Sequence, residues 1–521
     1  KIGQPTIADI NNDGIKEILF TDVNDVYVVN SKGEYLPGWP VTIPPLTPRY
    51  SPGYINQSSV VGDIDNDGIP EIIVSSHYNF NSSATVKVNI YIFKNNGILL
   101  REFSAIGDYL ALSDVNNDGY LEIISSFKNK RIGIYDRFGE ILNGWPFDSG
   151  DVYGSWNNYF PALADLNNDG YKELVYHVGQ KVFIFNYKGE KLATMSIDLV
   201  PGYHTSLNEY VAIADINQDS FREIIASTTT GDIYVWDYRG RRIAGWPMRP
   251  VPFTAGFGGE NSPLVADINN DGKPEILIAF TTSPNIETLF AINGERDVST
   301  IATWEHSQGS HVGSISIGNL DNDSDIEFIP NDAKMFDNIR HLVKMPAYNF
   351  DGSMVAGFPK YIYNITDDFE KRTSFLNIGD FNNDGYNEIF KENTRLTASG
   401  DYFFRNDYIY RTLGNSGNDP WPMFQHDPQH TGCYDCDDLK LSCSALPNPA
   451  KINERVDFTA TVSGGTGDYT YFWTQRCLPN SQKPATCQKI FRKPGTYTLD
   501  LRVTSGLQTK TTSCSVEVNH L

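Results

Sequence analysis

The sequence predicts an all-β protein: a β-propeller of eight four-stranded blades, followed by a small β-sandwich. Three observations lead to this prediction. A nine-residue acidic motif recurs eight times at intervals of 50 to 61 residues, and such a period indicates an array, solenoid or propeller. Short apolar runs separated by turn residues follow each copy. All six cysteines lie in the last 89 residues, so the composition changes near residue 433.

The repeated motif places oxygen-bearing side chains at positions 1, 3, 5 and 9, with glycine at position 6 in six copies. The fifth copy has Ser220 at position 6, and the seventh has Asn319 at position 1 and Ser324 at position 6. We therefore expect the seventh loop to be the weakest site. With position 7 included for its backbone carbonyl, the candidate metal ligands are Asp9, Asn11, Asp13, Ile15, Glu17, Asp63, Asp65, Asp67, Ile69, Glu71, Asp114, Asn116, Asp118, Tyr120, Glu122, Asp165, Asn167, Asp169, Tyr171, Glu173, Asp215, Asn217, Asp219, Phe221, Glu223, Asp267, Asn269, Asp271, Lys273, Glu275, Asn319, Asp321, Asp323, Asp325, Glu327, Asp380, Asn382, Asp384, Tyr386 and Glu388.

This spacing of ligands is typical of a loop that wraps a hard cation. The EF-hand loop uses oxygen ligands at positions 1, 3 and 5, a backbone carbonyl at 7 and glycine at 6. Here the glutamate falls at position 9 instead of 12, and strand-like runs flank the loop, so it is not an EF-hand. We expect up to eight Ca²⁺ ions, and Mg²⁺ fits less well because it keeps several waters. The alternative is a metal-free Asn-Gly or Asp-Gly hairpin turn, which does not require a glutamate at position 9.

The motif Asp-x-Asn-x-Asp-Gly-x-x-Glu is followed by a strand, an aromatic-rich strand and Gly-Trp-Pro. In this order it resembles the FG-GAP/VCBS repeats of integrin α-chain propellers and microbial surface proteins. The resemblance covers residues 1–432 and implies a calcium-binding propeller. It does not specify an activity, because the family includes adhesins, lectins, lyases and structural proteins.

The fifth repeat shows how one blade is expected to form. Its predicted strands are 211–214, 223–227, 233–237 and 242–247, with turn residues between them. Radial repetition of such four-stranded units makes a propeller. Eight motifs predict eight blades. A seven-bladed ring, with the irregular seventh motif absorbed elsewhere, is the alternative.

A Trp-Pro pair ends several repeats. It occurs at Trp39, Trp145 and Trp246, with variants at Phe358 and Trp421. We predict that each of these aromatic side chains anchors one blade against the next, and that the proline ends the outer strand. Repetition favours this structural role over ligand binding.

Residues 433–521 form the second predicted domain. Alternating strand patterns and Trp473 resemble the polycystic-kidney-disease (PKD) domain, an immunoglobulin-like module. An even number of clustered cysteines indicates disulfides and an oxidising compartment. Reduced thiols or half a zinc site at Cys433 and Cys436 are the alternatives. Six cysteines allow fifteen pairings, and the expected set is Cys443–Cys514, Cys477–Cys487 and Cys433–Cys436.

Charge and hydropathy restrict the location and the partners. The net charge is −22, but much of the acidity lies in the predicted metal loops, and no basic stripe suggests nucleic-acid binding. No apolar run is long enough for a transmembrane helix in this span. The chain starts directly in a strand, so we expect a mature or trimmed form at the cell surface or outside the cell. Candidate glycosylation sites are Asn56, Asn81, Asn322 and Asn364.

The connections between repeats are rich in glycine, tyrosine, tryptophan and histidine and should share one face of the ring. Such loops on a rigid scaffold suit a glycan or protein ligand, although ordinary loop packing would also explain them. No nucleophile elbow or zinc-protease motif occurs, so we expect a non-enzymatic adhesion or binding protein without catalytic residues. The alternatives are a self-associating subunit of a surface filament or surface layer, and a calcium-dependent polysaccharide lyase using His204, His311 or Arg372.

Overall fold

The computed structural model contains β-strands and no helix in the part of the chain that it describes, which confirms the all-β class. The described residues cluster into two compact units, Lys1–Cys433 and Tyr434–Leu521. They are residues 5–22, 24–43, 54–80, 85–127, 131–149, 160–203, 205–250, 261–269, 271–283, 286–305, 315–321, 323, 325–330, 335–337, 342–363, 376–391, 394–396, 403–405, 408–415, 433, 440–463, 470–473, 477, 485–505 and 508–519.

Each of the first four repeats folds into a four-stranded antiparallel sheet in which sequence neighbours pair. In the described residues the first three strands are largely buried, whereas the fourth is the more exposed edge of each sheet. The strands are β1 (Thr6–Ala8), β2 (Glu17–Asp22), β3 (Asp25–Val29), β4 (Val41–Thr42), β5 (Tyr54–Gly62), β6 (Glu71–Phe80), β7 (Thr85–Phe93), β8 (Leu99–Ala105), β9 (Tyr109–Ser113), β10 (Glu122–Phe127), β11 (Arg131–Tyr135), β12 (Phe147–Asp148), β13 (Ala162–Ala164), β14 (Glu173–Val178), β15 (Lys181–Phe185) and β16 (Lys191–Ser196).

The last four repeats are less regular. The sixth keeps four strands, the fifth has three, and the seventh and eighth each divide into two small sheets, with orders β24-β25-β28, β26-β27-β29, β30-β31-β34 and β32-β33. The strands are β17 (Ala212–Ala214), β18 (Glu223–Ser227), β19 (Ile233–Trp236), β20 (Leu264–Ala266), β21 (Glu275–Ser283), β22 (Ile286–Ile292), β23 (Val298–Glu305), β24 (Ile315–Gly318), β25 (Glu327–Pro330), β26 (Met335–Asp337), β27 (Leu342–Met345), β28 (Tyr348–Asn349), β29 (Lys360–Tyr363), β30 (Leu376–Gly379), β31 (Tyr386–Lys391), β32 (Thr394–Leu396), β33 (Phe403–Arg405) and β34 (Tyr408–Asn415).

The predicted fourth strand of the fifth repeat, 242–247, is wrong. Only isolated bridges join this segment to β19, between Trp236 and Arg242 and between Ile233 and Met248. The physical reason is a turn at Ala244 and Gly245, where Gly245 has a left-handed φ of 89° and the Trp246 N–H donates to the carbonyl of Ile243 at 3.1 Å. The segment remains attached through single backbone hydrogen bonds, such as Ile243 N–H to the carbonyl of Val235 at 3.0 Å.

Neighbouring repeats share apolar cores. Strands β1–β3 pack with β5–β7 around Leu19, Ile72 and Tyr91, and β9–β11 pack with β13–β15 in the same way. The eighth repeat packs against the first, because Phe381 and Phe390 lie in one buried cluster with Ile7, Ile18, Phe20 and Val29. The Asn377 amide also donates to the carbonyl of Pro5 at 3.0 Å, across 372 residues of chain.

Two tryptophans of the Trp-Pro pairs, Trp39 and Trp145, anchor one repeat to the next, as the sequence predicts. The indole Nε1 of Trp39 donates to the carbonyl of Asn95 at 2.8 Å. Trp145 makes the equivalent bond to Tyr187 at 3.0 Å. Both acceptors lie in the turn before the fourth strand of a neighbouring repeat. The segment around Trp421 lies outside the described residues.

The C-terminal unit consists of two sheets that share an apolar core around Phe458, Leu499 and Val516. The disulfide Cys443–Cys514 links the two sheets, and Cys477–Cys487 closes a shorter loop. Both predicted pairings are confirmed; Cys433 is also disulfide-bonded, and Cys436 lies outside the described residues. The strand orders are β35-β37-β39 and β36-β41-β40-β38. The strands are β35 (Lys440–Leu446), β36 (Ala450–Lys451), β37 (Arg455–Ser463), β38 (Thr470–Trp473), β39 (Thr486–Ile490), β40 (Gly495–Ser505) and β41 (Gln508–Asn519).

Candidate metal sites

All eight acidic motifs occupy the same place in the fold, the loop between the first two strands of a repeat. In every copy the position-9 glutamate pairs directly with the residue that precedes position 1. Ala8 faces Glu17 in the first repeat and Ala214 faces Glu223 in the fifth. The remaining pairs are Gly62 and Glu71, Ser113 and Glu122, Ala164 and Glu173, Ala266 and Glu275, Gly318 and Glu327, and Gly379 and Glu388. A constant register therefore closes every loop in the same way.

The aspartates at positions 1 and 5 turn the backbone of the loop. In the first copy, the Asp9 carboxylate accepts hydrogen bonds from the N–H groups of Asp13 and Gly14 at 3.0 and 2.8 Å. Asp13 in turn accepts from the N–H of Ile15 at 2.8 Å. The same bonds recur in the other regular loops, as for Asp267 and Asp380. These hydrogen bonds hold the carboxylates together on the inside of one tight turn.

The position-9 glutamates lie under the loops and are buried; Glu17 is 1% exposed and Glu327 is 0% exposed. One oxygen of each accepts the N–H of position 2, as from Ile10 to Glu17 at 2.9 Å. Burial, followed by repulsion from the neighbouring aspartates, raises the pKa of Glu17 and Glu71 to about 7 and that of Glu122 and Glu223 to about 8. An ionised carboxylate in this place needs a nearby positive charge, and a hard divalent cation would supply one.

The residue at position 3 decides how many carboxylates meet. In most copies it is asparagine, which donates its amide to the glutamate, as from Asn116 to Glu122 at 2.8 Å. The second copy has Asp65 there, and oxygens of Asp63, Asp65 and Glu71 lie within 4.8 Å of one another. Because an aspartate cannot donate, this set is repulsive until a cation is added.

The seventh loop forms the second such cluster, from Asp321, Asp323 and Glu327. Glu327 Oε1 is buried and has no hydrogen-bond partner in the described part of the chain. Asn319, which replaces the leading aspartate, donates its amide to the carbonyl of Asp323 at 2.9 Å instead. The loop that the sequence ranks as the weakest site therefore keeps three carboxylates together, and the rank order itself stays a prediction.

The position-7 residue takes part in the loops through its backbone N–H group. Its N–H donates to the position-5 carboxylate, for example from Tyr171 to Asp169 at 2.9 Å. That its carbonyl binds a cation stays a prediction. Two aromatic side chains at this position form ring contacts with the turn that follows the third strand. Tyr171 stacks on Tyr187 at 4.9 Å, and Phe221 stacks on Tyr238 at 4.7 Å.

Position 4 is a feature that the motif analysis missed. Its described residues adopt left-handed φ angles of 56° to 61°, a conformation that asparagine tolerates well. Asn12 donates its amide to the carbonyl of Gly68, in the next loop, at 3.0 Å. Asn168 and Gln218 make equivalent bonds to Ser220 and Gly272. The sequence carries the signal, because position 4 is Asn or Gln in all eight copies.

The donor chemistry of the loops fits a hard cation. The ligand positions offer carboxylate oxygens and, in all loops but the second, an amide oxygen, with no sulfur or imidazole, and these are the ligands that Ca²⁺ takes. The many protein oxygens in one loop favour Ca²⁺ over Mg²⁺, which prefers few protein ligands. The residues present therefore fit the ion.

The connections that the sequence assigns to a ligand-binding face lie largely outside the described residues. So do His204, His311 and Arg372, the residues considered for catalysis. Asn81, Asn322 and Asn364 lie there too, and the backbone of Asn56 is part of β5. These assignments stay predictions.

Family comparisons identify the two parts of the chain. The FG-GAP-like repeat matches residues 8–74 and 182–278, and the PKD domain matches residues 438–518. The chain thus contains FG-GAP-like repeats and a C-terminal PKD domain, which confirms both resemblances. A search of curated proteins gives no match. No helix in the described residues has the length and apolar character needed to span a membrane.

Several solved structures show distant similarity. BBS1N in complex with ARL6DN is 10% identical with a TM-score of 0.39, over 64% of this chain and 90% of that chain. BamB from Moraxella catarrhalis is 13% identical with a TM-score of 0.39, over 64% and 82%. The V. cholerae biofilm matrix protein Bap1 is 13% identical with a TM-score of 0.36, over 96% and 85%. TM-scores this low assign neither a blade number nor a function.

Proposed function

We propose that the chain is an extracellular, Ca²⁺-stabilised surface protein that binds a glycan or protein ligand without catalysing a reaction. The observation that carries the proposal is the carboxylate cluster of Asp63, Asp65 and Glu71, whose oxygens lie within 4.8 Å of one another. Three like charges this close, one of them on a buried glutamate, are unfavourable unless a cation compensates them. The same loop is repeated eight times, so up to eight ions are expected.

The repeats are proposed to close into an eight-bladed propeller. The shared core of Phe381, Phe390, Ile7 and Phe20 supports closure, because it joins the last repeat to the first. The bond from Asn377 to Pro5 supports it as well. Eight equivalent loops with one register favour eight blades over seven. A closed ring covers the apolar faces of the first and last blades and leaves only short sheet edges, which suits a protein exposed to the environment.

The proposed location outside the cell has two supports. The disulfides Cys443–Cys514 and Cys477–Cys487 are typical of oxidising compartments. Loops of this kind also suit the millimolar Ca²⁺ concentrations at which extracellular modules bind. We place the domain boundary after residue 432, and the PKD domain then follows the propeller as a separate binding or spacer module.

In this mechanism the ion would supply charge compensation and rigidity, and the chain's own residues shape the loops and join the repeats. The position-1 and position-5 aspartates orient the turn, the buried glutamate ties it to the second strand, and the tryptophan anchors hold neighbouring repeats together. The connections between repeats would then be displayed on a stiff ring, which lowers the entropy lost when a ligand binds.

The test combines metal removal with a binding screen. Purified protein is melted in chelator, in Ca²⁺ and in Mg²⁺, and is then applied to arrayed glycans and incubated with polysaccharides. We expect a Ca²⁺-specific rise in melting temperature, since an ion that binds only the folded state stabilises it. We also expect binding to a glycan, or in a parallel screen to a surface protein, without release of cleaved product.

Each result has a defined meaning. An identical melting temperature in chelator and Ca²⁺ contradicts the metal sites. Unsaturated sugar products contradict the non-catalytic assignment and point to a lyase. Ordered particles without any ligand binding contradict the adhesion role and favour a self-assembling subunit. As the matched control, a variant with both Asp63→Asn and Asp65→Asn should show a smaller Ca²⁺ response than the wild type.

A further inference from the structure

We infer that the position-4 amide residues couple neighbouring cation sites, so that an ion bound in one loop favours binding in the next. This inference rests on the proposed Ca²⁺ role and names the residues that link the sites. Three links are formed by Asn12, Asn168 and Gln218, whose side-chain amides donate to carbonyls 52 to 56 residues further along the chain, at 2.6 to 3.0 Å.

The donor of each link is set by the loop that carries it. Position 4 lies between the proposed ligands at positions 3 and 5, and its left-handed φ, 61° for Asn168, is part of the turn that brings those ligands together. Ordering of the proposed ligands by an ion therefore also fixes the direction of the amide. A loosened loop would lose the link, because a hydrogen bond weakens steeply when its angle changes.

The acceptor of each link belongs to the same part of the neighbouring loop. Asn168 donates to the carbonyl of Ser220, the position-6 residue of the fifth loop. The N–H of Ser220 donates to Asp215, the position-1 aspartate, at 2.9 Å. The backbone of Ser220 thus contacts both Asp215, a proposed ligand of the fifth site, and Asn168, the position-4 residue of the fourth site. The link connects two ligand-bearing turns directly.

The fourth and fifth loops are tied in both directions. Arg222, at position 8 of the fifth loop, is 6% exposed and donates from Nη1 to the carbonyl of Asp165 at 3.2 Å. Asp165 is the position-1 residue of the fourth loop. Each loop therefore donates one hydrogen bond to the other, which makes this pair the best place to measure coupling.

The same approach recurs elsewhere in the ring of repeats. The Asn117 side-chain amide approaches Gly170 in the next loop: its nitrogen lies 3.8 Å from the position that a Cβ would occupy on that glycine. The amide nitrogen of Asn383 lies 4.0 Å from the corresponding position on Gly14. The approach of Asn383 to Gly14 joins the eighth repeat to the first. Because coupling between two sites is reciprocal, such links would make Ca²⁺ uptake around the ring cooperative.

The experiment measures Ca²⁺-dependent protection from hydrogen exchange in the fourth loop, residues 165–173, when the fifth site is weakened. Asp215→Asn removes a carboxylate from the fifth loop only. In the wild-type background, we expect this change to raise the Ca²⁺ concentration for half-protection of the fourth loop about fivefold, the effect of one net hydrogen bond. In an Asn168→Gly background, the same change should raise it less than about twofold, because the amide link is already absent and only the longer Arg222 bond remains. Glycine keeps the left-handed φ without strain, so only the amide is lost.

Asn66→Gly is the matched control. Asn66 also has a φ of 60°, but it donates no hydrogen bond to the third loop among the described residues. Weakening the third site with Asp114→Asn should therefore affect the second loop equally in the wild-type and Asn66→Gly backgrounds. A fivefold effect of Asp215→Asn that persists in the Asn168→Gly background overturns coupling through the position-4 amide and leaves the Ca²⁺ sites intact. No Ca²⁺-dependent protection in any variant shows that the sites themselves are wrong.

Discussion

The indole Nε1 of Trp145 donates a hydrogen bond to the backbone carbonyl of Tyr187, in the next repeat, at 3.0 Å. The ring also meets Phe185 edge-on, with centroids 5.5 Å apart. Trp39 repeats both contacts, with Asn95 and Phe93. The tryptophan at the end of one repeat is thus part of the core of its neighbour, and this explains why it recurs in the sequence.

Truncation of this anchor should separate neighbouring repeats. Trp145 is 6% exposed, so Trp145→Ala should lower the free energy of unfolding by about 3 to 5 kcal/mol, through lost packing and the cavity left behind. Trp145→Phe keeps most of the ring and loses the N–H donor, and it should cost about 1 to 3 kcal/mol for the unsatisfied carbonyl and the smaller ring. Urea unfolding in saturating Ca²⁺ measures both. Equal costs would mean that the ring volume contributes nothing.

The carboxylate cluster of the second loop predicts a mutation whose effect changes sign with Ca²⁺. Burial is the main cause of the raised pKa of Glu71, and Asp65 is the charged neighbour that adds most to it. In chelator, Asp65→Asn should stabilise the fold by about 1 kcal/mol, because it removes repulsion and adds an amide donor to Glu71. In Ca²⁺ it should weaken the ion's stabilising effect. Melting curves in the two conditions measure the reversal.

The third loop supplies the opposite change. Asn116 donates to Glu122 at 2.8 Å, and Asn116→Asp replaces that donor with a fourth carboxylate in the loop. This variant should be less stable than the wild type in chelator and should gain more from Ca²⁺. If Asp65→Asn and Asn116→Asp shift stability in the same direction in chelator, position 3 does not control the site in the way proposed.

The buried histidine of the fourth repeat predicts a loss of stability in acid. His177 is 0% exposed, and its Nε2–H donates to the carbonyl of Asn208 at 2.7 Å. Burial lowers the pKa of His177 to about 4, whereas the unfolded chain has the ordinary value of about 6.5. Between these values the unfolded state binds the extra proton, so stability should fall by about 3 kcal/mol from pH 6.5 to pH 4. Below pH 4 both states are protonated and this contribution stays constant.

His177→Gln isolates that contribution, because glutamine also carries an N–H donor but does not titrate. The difference in unfolding free energy between wild type and variant, measured in saturating Ca²⁺ at each pH, should change over this window. Parallel curves from pH 7 to pH 4 would show that another group causes the acid sensitivity.

The disulfides of the C-terminal unit predict unequal costs of removal. Cys443 and Cys514 are 71 residues apart, and Cys477 and Cys487 are 10 apart. Loop-closure entropy gives about 4 kcal/mol for the first pair and about 3 kcal/mol for the second. Replacing each pair with alanine and following the unfolding of this unit by calorimetry should reproduce that order. A larger effect from the shorter loop would contradict the entropic account.

The sequence predicts the parts of this protein that local chemistry determines. The loop from Asp9 to Glu17 needs its carboxylates at fixed spacing, and Trp39 needs a neighbour to bury it, so both are readable without coordinates. The position-4 partners are different, because the bond from Asn12 to Gly68 joins residues 56 apart. Only the placement of adjacent repeats brings them together, although the recurrence of amide side chains was visible.

Strand pairing in the later repeats also depends on context. Segment 242–247 is predicted to be a strand from its composition, yet this part of the chain joins β19 only through isolated bridges. In the seventh and eighth repeats the chain divides between two sheets, which alternation of apolar residues does not reveal. Asp65 shows a different limit of sequence prediction. The sequence shows that aspartate stands where most copies have asparagine. That this change removes a hydrogen-bond donor to Glu71 is seen only in the structure.

The contact between repeats can be tested at a single glycine. Gly144 has a φ of 92°, and a Cβ there would overlap the carbonyl of Lys188 in the next repeat. Gly33 has a φ of 76°, but a Cβ there would have no heavy atom within 4 Å. Gly33→Ala should therefore cost about 1 to 2 kcal/mol from backbone strain alone. Gly144→Ala adds a clash with backbone that cannot rotate away, and it should cost several kcal/mol more. Urea unfolding of both variants measures the difference, and similar costs would mean that neighbouring repeats do not approach as closely as the Trp145 anchor requires.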